Sequence, residues 1–176
     1  MKEQEAKKVS ESRTIMTEMI MPNDANPIGN LMGGNLLRWM DIVGGICAGK
    51  HSEAHVVTAS VDHVSFQKPI HIGDVITIEA CVTRAFNTSL EIYVEVFAAD
   101  VKGKNNRMSN HAYFTFVALD DEERKPCKVR PVLPLTREEQ QLYDGAMKRR
   151  ELRLLLSGRI KPEEASEIKN LFTNNS

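Results

Sequence analysis

The chain has 176 residues, with 23 Lys and Arg against 24 Asp and Glu, so its formal net charge of −1 gives no global attraction to nucleic acid or an anionic membrane. Its 41% hydrophobic and 27% charged fractions are those of an ordinary globular protein, and the length fits one domain plus a tail. No apolar run approaches the roughly 18 residues of a membrane-spanning helix, and the polar start MKEQEAKKVSESR lacks the apolar stretch of a signal peptide.

RTIMTEMIM, residues 13–21, alternates in part and stops at Pro22, which reads as a strand. PNDANPIGN follows, dense in turn formers. Leu36, Leu37, Met40, Val43, Ile46 and Cys47 then recur at three- and four-residue steps, predicting a helix over 35–48 that ends near Gly49 and Lys50. Beyond it the period changes to two. Segments 55–66, 74–86, 89–101 and 107–119 alternate and are rich in Val, Ile, Thr, Tyr and Phe, with NTS and KGKNN as hairpin connections. DDEERKPCKVRPVLPLT is charged and punctuated by proline, and residues 136–157 turn helical again.

One strand, one long helix and four antiparallel strands specify an α+β domain. A five-stranded antiparallel sheet must cover its apolar face, and one central helix is long enough to do so, which is the hotdog arrangement. The boundaries are 12–120 for that domain, 121–135 for a linker and 136–176 for a helical tail, whose basic face and leucines at 152–156 suit packing or assembly. The strands over 89–96 and 111–118 are long and apolar, and as exposed edges they would invite pairing with a second copy. Cys47, Cys81 and Cys127 lack CxxC spacing. An odd number of thiols without an export signal points to a reducing cytoplasm, with Cys47 and Cys81 as small core residues.

Within the helix, Asp41 is the one carboxylate. It follows Leu37 by four positions and so shares a side with a core residue, while Gly44 and Gly45 thin the next turn. An unpaired buried carboxylate costs several kcal/mol, so a chemical role competes with a capped or solvated one. Asn26, before Pro27, reads on sequence grounds as turn chemistry. His51 and His55 have helical metal-pair spacing but straddle the expected helix end without a third ligand, and read as surface or loop residues. His63 and His71 flank a strand end. Ser60 and Ser65 lack a GxSxG context, and Asp62 and His63, adjacent in a strand, point to opposite faces. No metal site is expected.

MPNDANPIGNLMGGNLLRWMDIVGG, TASVDHVSFQKPIHIGD (58–74) and TSLEIYVEV (88–96) together resemble the hotdog acyl-CoA thioesterases, in particular the bacterial acyl-CoA hydrolases and their cytosolic animal relatives. The resemblance covers roughly residues 12–120. It implies cytoplasmic hydrolysis of acyl-CoA to fatty acid and coenzyme A. Asp41 would act as general base or nucleophile, and Asn26 of another subunit would position water or the thioester carbonyl. Gly33 and Gly34 sit where the helix begins; residues without a Cβ let a carbonyl approach the backbone, and the amides of a helix N-terminus suit an oxyanion. Arg84, Thr88 and Ser89 lie at the hairpin where the family grips the pantetheine arm, with Lys68 and Arg107 as further cations for the 3′-phosphate. Ser60 and Phe66 are further substrate contacts, Phe66, Val61 and Leu36 being candidates for the acyl tunnel. The resemblance implies no cofactor beyond the coenzyme A of the substrate, a dimer as active unit and a hexamer as a trimer of dimers, with no nucleic-acid partner and no membrane insertion. The competing readings are an acyl-carrier hydratase or dehydratase, disfavoured because no His falls in residues 26–50, and a non-catalytic acyl-CoA sensor, which has no use for Asp41.

Overall fold

The computed structural model describes residues 5–173, the side chains of residues 171–173 excepted. Its elements in chain order are β1 (Lys7–Lys8), α1 (Val9–Ser12), β2 (Thr14–Met19), α2 (Gly33–Ser52), β3 (His55–Phe66), β4 (Val75–Ala85), β5 (Ser89–Ala99), β6 (Arg107–Leu119), β7 (Val132–Leu133), α3 (Arg137–Leu156) and α4 (Ser166–Thr173), with one-turn 3₁₀ segments at Pro22–Asp24 and Pro162–Glu164. Residues up to Leu133 form one compact unit and those from Pro134 a second.

In the first unit, β2, β4, β5, β6 and β3 pair in that order as one antiparallel sheet, and α2 lies across it. This is the hotdog fold that the alternation and the single helical stretch predicted. Leu36, Met40, Val43 and Cys47 of α2 are buried against a sheet face that carries Ile76, Ile78, Ile92, Val94, Phe114 and Phe116. Each such side chain contributes about 1.5–3 kcal/mol of hydrophobic stabilisation. A Cβ on Gly44 would lie 3.1 Å from the Phe116 ring. The glycine therefore lets the helix backbone approach the middle of the sheet, and it serves this contact rather than the neighbourhood of Asp41.

Three expectations are corrected by the fold. The helix begins at Gly33 and runs on to Ser52, where Glu53 closes it in the left-handed region at φ 54°. His51 is therefore helical and fully buried, not a surface residue, and its Nε2 donates to the Arg130 carbonyl at 3.1 Å. Burial lowers its pKa, because the charged imidazolium would lose its hydration. Second, β5 and β6 are central strands with both edges paired. The exposed edges are β2 and β3, and it is β3 that presents the apolar Val57 and Val61 to solvent. Third, β3 does not alternate cleanly. Bulges fall between Thr58 and Ser60 and between Asp62 and Ser65, and His63 takes φ 54°, so neighbours along the strand do not obey the simple opposite-face rule.

Residues 121–133 pack on this unit. The Cys127 amide bonds the Ala118 carbonyl, Val129 and Val132 are buried, and β7 pairs in parallel with β1. Lys7 and Arg130 both reach the Glu53 carboxylate, at 3.2 and 3.1 Å, which ties this ribbon to the end of α2.

The second unit is a helical pair. Thr136 and Glu139 form a capping box at the start of α3, the hydroxyl accepting from the Glu139 amide while the carboxylate accepts from the Thr136 amide. The Glu151 carboxylate, on α3, accepts the Ile168 amide at 3.0 Å in the first turn of α4. The last three residues of the expected 136–176 tail lie outside the described residues. No helix among the described residues is long and apolar enough to cross a membrane.

Candidate active site

Asp41 projects from the middle of α2, half-buried, where α2 passes β3. Its Oδ1 accepts a 2.6 Å hydrogen bond from the Thr58 hydroxyl on β3. Register explains the meeting. Thr58 pairs with Phe116, whose ring faces Gly44 of the helix, so Thr58 shares the helix-facing side of the sheet. One carboxylate oxygen is thus fixed, and Oδ2 has no partner among the described residues. Arg38, Ile42 and Ile46 on α2 and Val61 on β3 are exposed around it.

Thr58 is the partner of Asp41 that the sequence alone does not mark. The bulge at Ala59 turns Thr58 toward the helix and sends Ser60 to the other face, opposite Thr115. There the Ser60 hydroxyl bonds the Asp62 carboxylate at 3.2 Å, so Ser60 is not brought to the site. A threonine in the strand after the helix was the available signal, but nothing in the sequence marks a bulge.

Asn26 lies in the loop that precedes the start of α2. Its side-chain Oδ1 accepts from the amides of Ile28 and Asn30, both at 3.1 Å, and its backbone N–H bonds the Asn30 carbonyl at 2.7 Å. Two N–H donors on one atom identify that atom as the oxygen, which leaves the Nδ2 amide pointing away without a partner among the described residues. The turn chemistry is therefore real, and it orients a free donor. Asn26 lines a recess of about 270 Å³ with Gly33, Leu36, Phe66, Lys68, Ile70 and Asn110 among its walls.

The N-terminus of α2 opens beside that recess. Met32 supplies no side-chain cap, and the helical ladder starts only with the bond from the Leu36 amide to the Met32 carbonyl, so the Gly33, Gly34 and Asn35 amides precede it. A Cβ on Gly34 would meet nothing within 4 Å, so this backbone is open to an incoming group. A Cβ on Gly33 would lie 3.3 Å from the Phe66 ring, which rests against the helix start.

One protomer therefore splits the expected residues into two groups. Asn26, Gly33, Gly34 and Phe66 gather at the start of α2. Asp41 and Thr58 stand about 10 Å further along, two helical turns away. The β4–β5 hairpin lies toward that second group, since Leu90 and Ser89 pair with Phe116 and Val117, which pair in turn with Thr58 and Val57. Arg84 pairs opposite Glu91, and the Thr88 carbonyl accepts the Ala118 amide. Of the two further cations, Arg107 is engaged by Asp74 at 2.8 Å and by the Pro69 carbonyl at 3.1 Å, while Lys68 lines the recess. Burial opposes ionisation of Asp74, but the His71 amide and Arg107 outweigh it and hold its carboxyl below the usual range.

Among the described residues no group of three or more His, Cys, Asp or Glu could hold a metal ion. Cys47 is fully buried, and burial pushes its thiol up to about 12, so no nucleophilic thiolate forms there near neutral pH.

Residues 28–103 match the thioesterase superfamily. Mouse acetyl-coenzyme A thioesterase is 38% identical over 146 residues, which is 83% of this chain but 26% of that protein. A second mouse relative, acyl-coenzyme A thioesterase 11, is likewise matched over 24% of its length, so the chain spans about a quarter of these relatives. YkhA of Bacillus subtilis, named an uncharacterized acyl-CoA thioester hydrolase, is 35% identical over 79% of this chain and 80% of its own. The acyl-CoA hydrolase of Staphylococcus aureus, solved with butyryl coenzyme A, coenzyme A and coenzyme A disulfide, superposes with a TM-score of 0.81 at 37% identity, covering 88% of this chain and 96% of that one. Variants of that hydrolase with alanine in place of one aspartate, one asparagine and one threonine have also been solved. An apo-hexameric acyl-CoA thioesterase superposes with a TM-score of 0.82 at 37% identity over 85% of this chain and 96% of that one.

Proposed function

This chain belongs to the thioesterase superfamily, in its acyl-CoA hydrolase branch, and from that premise we propose that it hydrolyses acyl-CoA thioesters to the carboxylic acid and coenzyme A. The single observation that carries the chemistry is Asp41. It is a carboxylate with one oxygen fixed by Thr58 and the other free, placed on the helix that also offers open backbone amides.

Water is a poor nucleophile at neutral pH, so the free Asp41 oxygen takes its proton as the water oxygen bonds to the thioester carbon. The carbonyl oxygen becomes an oxyanion, stabilised by the Gly34 amide at the helix start and by the helix dipole. Collapse of this intermediate breaks the carbon–sulfur bond, and the proton held by Asp41 passes to the departing thiolate. In the covalent variant the same oxygen attacks the carbon and the thiolate leaves, giving an acyl–Asp41 anhydride; water then hydrolyses the anhydride, and its proton goes to the thiolate. Asn26 directs its free Nδ2 amide to the carbonyl or to the water.

Because Asn26 stands before the start of α2 and Asp41 near its middle, about two turns further on, the complete site takes Asn26 from one subunit and Asp41 from another. An antiparallel pairing of two α2 helices brings each start beside the other's middle, and the exposed edge of β3 joins the two sheets. The apolar residues bared around Asp41, namely Ile42, Ile46 and Val61, are covered by this pairing. In the S. aureus hydrolase the replaced asparagine, aspartate and threonine stand fifteen and then seventeen positions apart, the spacing of Asn26, Asp41 and Thr58. The likeness to a hexameric thioesterase supports three such dimers per assembly, and three free thiols suit a reducing cytoplasm. The deciding experiment is thiol release from a panel of acyl-CoAs. Release by the wild type that is lost in Asp41→Asn is the expected result, and no release from any thioester overturns the reading.

A further inference from the structure

The innermost wall of the Asn26 recess holds a polar group where the fold would place an apolar one. Asn110, on β6, pairs with Phe66 on one side and Val96 on the other, and Val96 pairs with Ile78, so a helix-facing row of apolar side chains is interrupted by one carboxamide. Asn110 is only 2% exposed, like Leu36 and Ile70 beside it in the recess, whereas Phe66 at the mouth is 57% exposed.

Its hydrogen bonding is incomplete in a specific way. Nδ2 donates to the Ser65 carbonyl at 2.9 Å, which identifies the nitrogen and leaves its second N–H free among the described residues. Oδ1 lies 2.6 Å from the Ser109 hydroxyl, but that hydroxyl also lies 2.8 Å from the Lys68 carbonyl. One hydroxyl has one proton for these two acceptors. The deep wall therefore presents an unused N–H beside an oxygen that must compete for a donor, and a buried amide left short of partners is unfavourable. A ligand hydroxyl, being donor and acceptor at once, answers both deficits. A plain methylene chain answers neither.

We infer that Asn110 is a specificity-determining residue that favours acyl groups carrying a hydroxyl over plain acyl groups of the same length. This inference rests on the thioesterase reading above, with the acyl group entering the recess past Asn26 and Phe66. Sites built to hydrogen-bond a substrate hydroxyl discriminate far more strongly than apolar pockets do, and in a recess open at one side about tenfold is expected.

The test compares kcat/KM by thiol release for butyryl-CoA, 2-hydroxybutyryl-CoA and 3-hydroxybutyryl-CoA. In the wild type at least one hydroxylated substrate should exceed butyryl-CoA by about tenfold. In Asn110→Leu, which keeps the branched shape and heavy-atom count and removes the amide, that ratio should fall to near one. Asn110→Ala, a smaller change, keeps the comparison open if the leucine variant does not fold, and the wild-type ratio is informative without either. A wild type with no preference for either hydroxylated substrate overturns the inference, as does a ratio that stays at its wild-type value in a folded variant, which would make Asn110 merely structural. Thiol release from none of the three but from other members of the acyl-CoA panel defeats this inference alone, and release from no thioester at all defeats the thioesterase reading with it. Equal release from all three defeats only this one.

Discussion

In the proposed site, the start and the middle of α2 supply complementary halves by different means. At its start, Asn26 belongs to a loop that holds itself, since the Asn26 side chain satisfies the amides of Ile28 and Asn30 and so aims its own amide outward. Around its middle, Asp41 is placed by regular structure, a helix residue bonded across to a strand by Thr58. The loop half offers donors and no base. The helix half offers a base, and the apolar residues around it are bare in one protomer. On the proposed reading each half is preorganised by itself, and the site becomes whole only between two copies.

The largest test of this division is Asp41→Asn. Loss of a general base lowers kcat by roughly a hundredfold or more, with KM close to that of the wild type, because the substitution keeps volume. Wild-type turnover in that variant would remove the helix half from the mechanism. Asn26→Ala should lower kcat by about tenfold or more, the scale of one lost donor to the carbonyl or water. Mixing the two variants under subunit exchange should restore part of the activity, since a hybrid dimer holds one site with both residues intact. Activity that stays additive after mixing would put both residues in one subunit.

The support beneath the Asp41 half can be weakened separately. Gly44→Val places a side chain where even a Cβ would sit 3.1 Å from the Phe116 ring, and should cost about 1–3 kcal/mol in denaturant unfolding. A midpoint equal to the wild type would mean that the helix can lift from the sheet. Thr58→Val removes the hydroxyl that fixes Asp41 and should lower kcat by about tenfold, about 1.4 kcal/mol, with an unchanged melting temperature.

The smallest effect lies beyond both halves, at His51. Its folded pKa is lowered by burial, so below the unfolded value of about 6.5 the unfolded chain binds the proton more readily. The stability it lends is present above that pH and is lost as pH falls through 6.5 toward the folded pKa. Thermal melts of the wild type between pH 7.5 and 5 should therefore decline more steeply than those of His51→Gln. Parallel curves would show that another group sets the acid limb.

Much of this was legible in the chain itself, for reasons of periodicity. The steps from Leu36 to Met40, Val43 and Cys47 identify a buried helical face, and the alternation over 75–85, 89–99 and 107–119 identifies strands, because each pattern matches only one backbone period. A carboxylate in that helix and a glycine pair at its start stand out against the pattern, and so did Asp41 and Gly33–Gly34 as candidates. His51 continues the same step from Cys47, yet its polarity outweighed its position in the reading.

Tertiary structure decided what depends on register and on partners distant in sequence. The bulge at Ala59 selects Thr58 and rejects Ser60, and a one-residue slip of this kind leaves no mark in composition. The order of strands makes β3 an edge and β5 and β6 central, which strand sequences alone cannot state, since an apolar strand reads the same in either place. The free amides of Asn26 and Asn110 were invisible for the same reason: which side-chain atom is satisfied depends on the groups that folding brings to it.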